Sequence, residues 1–325
     1  MQKKYLMDFT EGDAITQTFL VVRSQLRTSV NGSYYIDIEL CDKSGKMTGK
    51  FWKATRDVFE SFAPDDFVQI RGTLEKYRDN KQLRIDSIIP VQETYVNYAD
   101  FLPTTDKPIE PMLKKIKDAI ATVQSEPLRA LLQAFFNDPE FVAQFCMAPA
   151  AVTYHHPYRG GLLEHTSSMV EMGLGMLATR TELDHDQLIA GLILHDIGKI
   201  EEFSYDRAFR YTNRGKLIGH LVIGADMIST RAKAIPDFPQ EPLELLLHLV
   251  LSHHGEHEYG SPRLPVTVEA LAVHHIDNLD AKINAFEQMK KNAADPDATW
   301  SEFSKMFQRE LYIGSGQVAR EENGR

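Results

Sequence analysis

Cysteine is scarce in this 325-residue chain, which has only Cys41 and Cys146, far apart and each set in an apolar pattern. Two isolated thiols build neither a disulfide framework nor a zinc-thiolate site, and they fit a reducing, cytoplasmic setting. Long apolar runs are missing too. No stretch reaches the roughly 20 apolar residues of a membrane-spanning helix, and the opening "MQKKYLMDFTEGD" turns acidic before an apolar targeting core can form. A soluble, unprocessed protein with no membrane partner is expected. Positive charge is also in deficit. The 36 Lys and Arg stand against 46 Asp and Glu, a net −10, which argues against a protein that coats nucleic acid through a general positive field. The deficit is uneven: residues 1–92 carry 14 basic and 13 acidic side chains, a net +1, so the remainder holds −11. No internal repeat or low-complexity segment is present.

What is present is apolar content, 43 % of the residues, sufficient for two cores. From Ala14 to Trp52, short alternating runs are broken by "NG" and "KSGKMTG", and "DDFVQIRGTLEKYRDNKQLRIDSIIPV" adds two more around the polar turn "RDNK". Alternation punctuated by turn residues predicts strands joined as hairpins. Five strands over residues 1–92, with one short helix near "TRDVFESFA", predict a five-stranded OB-type Greek-key barrel. Residues 93–111 hold three prolines and no sustained period, and read as a linker. Over 112–314 apolar residues recur at three- and four-residue steps, through 161–179, 185–196, 215–233, 241–254 and 265–290. That period predicts an all-α domain, so the fold class is multidomain α+β. Residues 315–325 are expected to be a mobile tail.

The helical half concentrates histidine and aspartate. His165 lies in "GGLLEHTSSMV", His195 and Asp196 in "LILHDIGK", His220 in "KLIGHLVIGA", His253 and His254 in "LSHHGEH", and Asp277 in "HHIDNLDAK". Imidazole and carboxylate donors without nearby thiolate suit manganese, iron, cobalt or zinc. The adjacent pair His195-Asp196 can serve together if a helix ends there, and Gly198 agrees with a left-handed helix cap. Taken singly, His155, His156, His248, His257, His274 and His275 read as hydrogen-bonded packing or surface residues. The seven candidates read differently as a group, because burying them beside "LIAGLIL" and "ELLLHLVL" is costly unless something satisfies them, and a metal pair does so.

The ordered series His, His-Asp, His, His-His, Asp resembles the HD phosphohydrolase superfamily over about residues 160–285. More narrowly, an OB-like domain preceding "GGLLEHT", "HDIGK" and "SHHG" resembles the YhaM-type 3′-to-5′ exoribonucleases of bacteria. The resemblance implies that His165, His195, Asp196 and Asp277 form the core metal set, with Asp196 bridging two divalent ions, foremost Mn2+. His220, His253 and His254 would complete the second ion's shell, the sequence not choosing between His253 and His254 as the direct ligand. Asp280, three residues beyond Asp277, is a supporting candidate. Lys199, four residues after His195, would place a cation on a phosphate oxygen and count with Asp196 as catalytic. Arg159 in "YHHPYRGG" is a further substrate-binding candidate.

The barrel bears on the substrate. "KSGKMTGKFWKATR" interleaves Lys43, Lys46, Lys50, Lys53 and Arg56 with Phe51 and Trp52, and "SYYIDI" adds Tyr34 and Tyr35. Such a surface can track a backbone and stack bases, although alternate aromatics in a small barrel also fill its core. The expectation is an enzyme that shortens single-stranded RNA, with single-stranded DNA a second candidate substrate, releasing nucleoside monophosphates. A phosphodiesterase acting on a cyclic dinucleotide, alarmone or dNTP is the alternative, and "KIEEFSYD" stands where cyclic-dinucleotide enzymes carry a Gly-Tyr-Pro signature. A non-catalytic nucleic-acid binder fits the full donor set poorly. The sequence is compatible with a homo-oligomer and does not specify one.

Overall fold

The computed structural model describes residues 4–77, 80–152, 156–205, 209–291 and 298–314. The expected tail at 315–325, part of the turn expected at Arg78–Lys81, and His155 lie outside the described residues. The chain divides into two compact units, one of Met1–Asp106 with Phe203–Tyr211, the other of Lys107–Glu202 with Thr212–Arg325.

Alternation of apolar and polar residues, interrupted at Val21–Arg23 and Arg71–Gly72, builds the first unit. Strands β1 (Ala14–Thr28), β2 (Tyr34–Asp42) and β3 (Gly45–Phe51) are followed by a short helix, α1 (Arg56–Glu60), then β4 (Phe67–Tyr77) and β5 (Asn80–Val91). They close in the order β1-β2-β3-β5-β4, with β1 returning antiparallel to β4 and only β3 and β5 parallel. Period-2 geometry sends Ile36, Ile38 and Leu40 of β2 inward with Met47 and Phe51 of β3. Phe51 is therefore not the base-contacting residue expected from the sequence. It is 6 % exposed and lies in register with Ile36 and Ile85, so its ring fills the core. Single turns of 3-10 helix at Glu93–Tyr95 and Tyr98–Asp100 follow. Phe101 packs its ring edge on Phe67 at 4.8 Å, which ties the stretch after Val91 to the barrel.

The second unit is helical: α2 (Ile109–Thr122), α3 (Glu126–Phe136), α4 (Pro139–Met147), α5 (Gly161–Leu177), α6 (His185–Leu194) and α7 (Lys199–Glu202), then α8 (Asn213–Ile218), α9 (His220–Lys233), α10 (Gln240–Ser252) and α11 (Val268–Lys291). Helix α6 is buried from Gln187 to Leu194, as befits a helix apolar on every side, and α5, α10 and α11 pack around it. Where helix alone was expected, a ribbon of β6 (Phe203–Ser204) and β7 (Arg210–Tyr211) intervenes between α7 and α8. The apolar runs there are too short to sustain a helical period. Isolated bridges Trp300–Tyr312 and Ser304–Arg309 add extended structure near the end. The helix expected over 215–233 breaks at Gly219, whose φ of 79° is left-handed.

Candidate metal centre

Five helices bring the seven candidate side chains together. His165 sits in α5, fully buried. Helix α6 ends at Leu194, and the backbone then tightens. The His195 amide donates four residues back to Gly191 at 2.9 Å, whereas the Lys199 amide donates three residues back to Asp196 at 3.0 Å. His195 and Asp196 thus leave a helix terminus with Nε2 and Oδ2 3.2 Å apart. Gly198 is not the left-handed cap its position implied, since its φ is not positive. Its lack of a side chain serves a close approach instead: an added Cβ would stand 2.1 Å from the His220 carbonyl and 2.7 Å from the Gly224 amide. Gly198 thereby lets α9 come in with His220 at its first position. His253 is the C-cap of α10 and His254 follows it, while Asp277 projects from α11.

The donor atoms form two sets that share one carboxylate. In the first, His165 Nε2 lies 3.3 Å from His195 Nε2 and 3.3 Å from Asp277 Oδ1, and Asp196 contributes Oδ2. In the second, His220 Nε2 and His253 Nε2 face Asp196 Oδ1 at 3.4 and 3.5 Å. The donors of His220, His253 and His254 all lie within 4.8 Å of one another. Donors sharing a first-row ion at about 2.1 Å lie roughly 3.0–3.4 Å apart, and the shorter of these spacings fall in that range.

Every imidazole is held from behind. His165 Nδ1–H donates to Asp280 Oδ2 at 2.7 Å, and His195 and His253 donate Nδ1–H to the Leu192 and Val250 carbonyls at 3.0 and 2.8 Å. His220 donates both its backbone N–H and Nδ1–H to Glu202 at 3.0 Å, and His254 donates to the Tyr259 carbonyl at 2.8 Å. With Nδ1 protonated, Nε2 presents a lone pair, the form a metal ligand requires. Asp280 is itself gripped by Ser168 Oγ at 2.5 Å and His156 Nε2 at 2.9 Å, and the His156 ring meets Tyr158 Oη at 2.8 Å. Sequence reasoning missed Glu202, His156, Ser168 and Tyr158 as supports. A carboxylate seven residues after His195 was the only available hint of Glu202.

The electrostatics fit a cation. His165 Nε2 and His195 Nε2 face each other at 3.3 Å, a contact that needs a proton or a metal cation between the two nitrogens. Burial opposes charge on His165, yet Asp277 and Asp280 outweigh it and lift its pKa to about 10. Burial likewise opposes ionisation of Asp196, but Lys199 and His195 hold its carboxyl well below the usual range. Burial beside His253 pushes His254 down to about 4, keeping it a neutral donor. Asp196 Oδ1 and His220 Nε2 are buried and, among the described residues, have no hydrogen-bond partner. Orphaned buried polar atoms are costly, and both point into the second set.

Lys199 is buried and pairs with Asp196 Oδ2 at 2.5 Å, so its ammonium stands at the centre. Arg159 is half-buried two residues before α5. On the barrel, Tyr35 stacks on Trp52 at 4.8 Å, with Lys50 Nζ 5.6 Å from both rings. Trp52 is 52 % exposed, Tyr34 lies 5.9 Å from the Arg56 guanidinium, and Lys53 is exposed. Tyr35, Trp52 and Lys50 form an outward aromatic and basic surface without Phe51.

Comparison with known proteins adds two family matches: an HD domain over residues 162–282 and an OB-fold nucleic acid binding domain over residues 20–91. The chain is 35 % identical over 286 residues to the 3′-5′ exoribonuclease YhaM of Bacillus subtilis, covering 88 % of this chain and 90 % of that protein. It is 36 % identical over 268 residues to the protein of the same name from Oceanobacillus iheyensis, covering 82 % and 84 %. The counterpart from Geobacillus is 33 % identical over 287 residues, covering 88 % and 87 %.

Proposed function

The chain belongs to the family of YhaM 3′-5′ exoribonucleases, and from that membership we propose that it shortens single-stranded RNA from the 3′ end, hydrolysing one phosphodiester at a time to release nucleoside monophosphates. The likeness spans both the barrel and the helical unit, which disfavours the small-nucleotide alternative. The observation that carries the reading is the division of Asp196, one oxygen toward His165 and His195, the other toward His220 and His253.

In this reading His165, His195, Asp277 and Asp196 Oδ2 hold one divalent ion, and His220, His253, His254 and Asp196 Oδ1 hold the other. We take both His253 and His254 as direct ligands, a reading supported by the Nδ1 of each ring being tied back to a carbonyl. Manganese is the ion we propose, and this nitrogen and oxygen donor set also accommodates iron, cobalt and zinc. When bound, such ions supply Lewis-acid activation of a water and neutralise charge on the phosphate. The protein's own part is positioning: Asp280, Glu202 and the three carbonyls fix the rings, and the buried walls keep bulk water from the donors. Lys199, freed from Asp196, offers its ammonium to a nonbridging phosphate oxygen as charge builds there.

The Trp52, Tyr35 and Lys50 surface holds the strand by stacking and charge. Single-stranded DNA is a second substrate on this account, because stacking does not read the 2′-hydroxyl. The unpaired cysteines Cys41 and Cys146 agree with a cytoplasmic setting, and among the described residues no helix is long and apolar enough to cross a membrane. A homo-oligomer is compatible with the scheme and is read by sedimentation. The test of activity is incubation with manganese, a 5′-labelled single-stranded RNA and a panel of small nucleotides. A ladder shortening from the 3′ end is expected; selective loss of a small nucleotide, or binding without cleavage, contradicts it.

A further inference from the structure

His274 lies on α11 three residues before Asp277, half-buried, and takes no place in either donor set. Its contacts nonetheless converge on the second one. His274 Nδ1–H donates to the His253 carbonyl at 2.7 Å. That carbonyl belongs to the peptide joining His253 to His254, so its direction governs how two consecutive imidazoles leave the end of α10. The same ring lies flat against the next residue. A Cβ added to Gly255 would meet His274 Cε1, Nδ1 and Nε2 at 2.1, 2.4 and 2.5 Å, and the φ of Gly255 is +79°. Glycine is thus required there twice, for its left-handed backbone and for the ring above it.

We propose that His274 is a positioning residue that clamps the His253-His254 peptide from α11 and thereby builds the second ion's half of the centre. The inference rests on the two-ion reading above. It answers a geometric need, since His253 and His254 sit where a helix ends and its last carbonyls lack partners within the helix. Val250 takes His253 Nδ1–H and Tyr259 takes His254 Nδ1–H, which hold the rings, and the Gly255 amide closes the turn on the Ser252 carbonyl at 2.8 Å. Among the described residues His274 is the one that takes the His253 carbonyl itself, and it does so from the helix that carries Asp277. One rigid element therefore sets the spacing of a donor in the first set and two donors in the second.

The bond specifies the substitutions that separate clamping from packing. Asn carries an N–H donor where His274 carries Nδ1, Gln carries it one bond further out, and Leu keeps bulk with no donor. Manganese alone is titrated calorimetrically into the full chain, with bound metal counted by elemental analysis and the fold checked by circular dichroism. Wild type and His274→Asn are expected to bind two ions alike. His274→Leu and His274→Gln are expected to keep one ion at wild-type strength and bind the other about 10- to 100-fold more weakly. If His274→Leu fails to fold, the contrast between Gln and Asn decides alone. Wild-type affinity for both ions in the Leu or Gln variant overturns the clamp and leaves the two-ion reading standing. Fewer than two ions in the wild type overturns that reading itself.

Discussion

Asp196 is the residue at which the two donor sets meet, and its neighbours leave it few other roles. A buried carboxylate with an orphaned oxygen, faced by imidazoles on both sides, is a costly arrangement that a bridged ion pair relieves. Asp196→Asn keeps the size and removes the charge. The variant is expected to retain its helical circular dichroism, lose both ions in elemental analysis, and hydrolyse RNA at least about 10³-fold more slowly. Undiminished turnover refutes the bridging role. The seven candidate ligands were legible in the sequence because each sits in a short motif whose histidines have few structural reasons to cluster. Their supports were not legible, because each works across a long separation. His156 reaches Asp280 over 124 residues, Glu202 reaches His220 over 18, and His274 reaches His253 over 21. Phe51 was misread for a nearer reason: the alternation of Met47, Gly49 and Phe51 already placed it inside, and the run of charges around it masked that period.

At the scale of elements, the centre depends on how closely α7 and α9 approach. Gly198→Ala puts a methyl group against the His220 carbonyl, an overpacking that costs about 1–3 kcal/mol. It is expected to weaken binding of one ion and leave the other, seen by metal titration; equal affinity for both contradicts the close-approach argument. Helix α4 offers a pH test away from the metals. Asp138 caps it, accepting from the Glu140 amide at 3.1 Å, and takes Arg231 of α9 at 2.8 Å. The Arg231 guanidinium, then the Phe141 amide, hold the Asp138 carboxyl below its ordinary 3.8. A folded-state pKa depressed in this way contributes stability above 3.8 that is lost as pH falls through the lower folded value. The melting temperature of wild type is therefore expected to drop more steeply in that acid range than that of Asp138→Asn; parallel curves contradict the linkage. The barrel and most helices were legible from period alone, including ends within a few residues. The β6-β7 ribbon and the break at Gly219 were not, because a two-residue strand has no period and a single glycine does not disclose its φ.

For the whole molecule, a net charge of −10 is an unusual property for a protein that holds RNA. The near-neutral barrel resolves this, because its basic side chains are local and interleaved with rings. If Lys50, Lys53 and Arg56 each contact a phosphate, log affinity against log salt is expected to fall with a slope of about −2 on single strands. Trp52→Ala is expected to cost about 1–3 kcal/mol in RNA binding, raising KM on long strands while kcat on a dinucleotide holds. An unchanged KM removes the barrel from strand binding. The account as a whole stands on seven side chains forming two ion sites that share one carboxylate. The most direct measurement is anomalous diffraction from crystals soaked in manganese. Two peaks are expected, one among His165, His195 and Asp277 and the other among His220, His253 and His254, with Asp196 between them. A single peak, or peaks away from these donors, contradicts it.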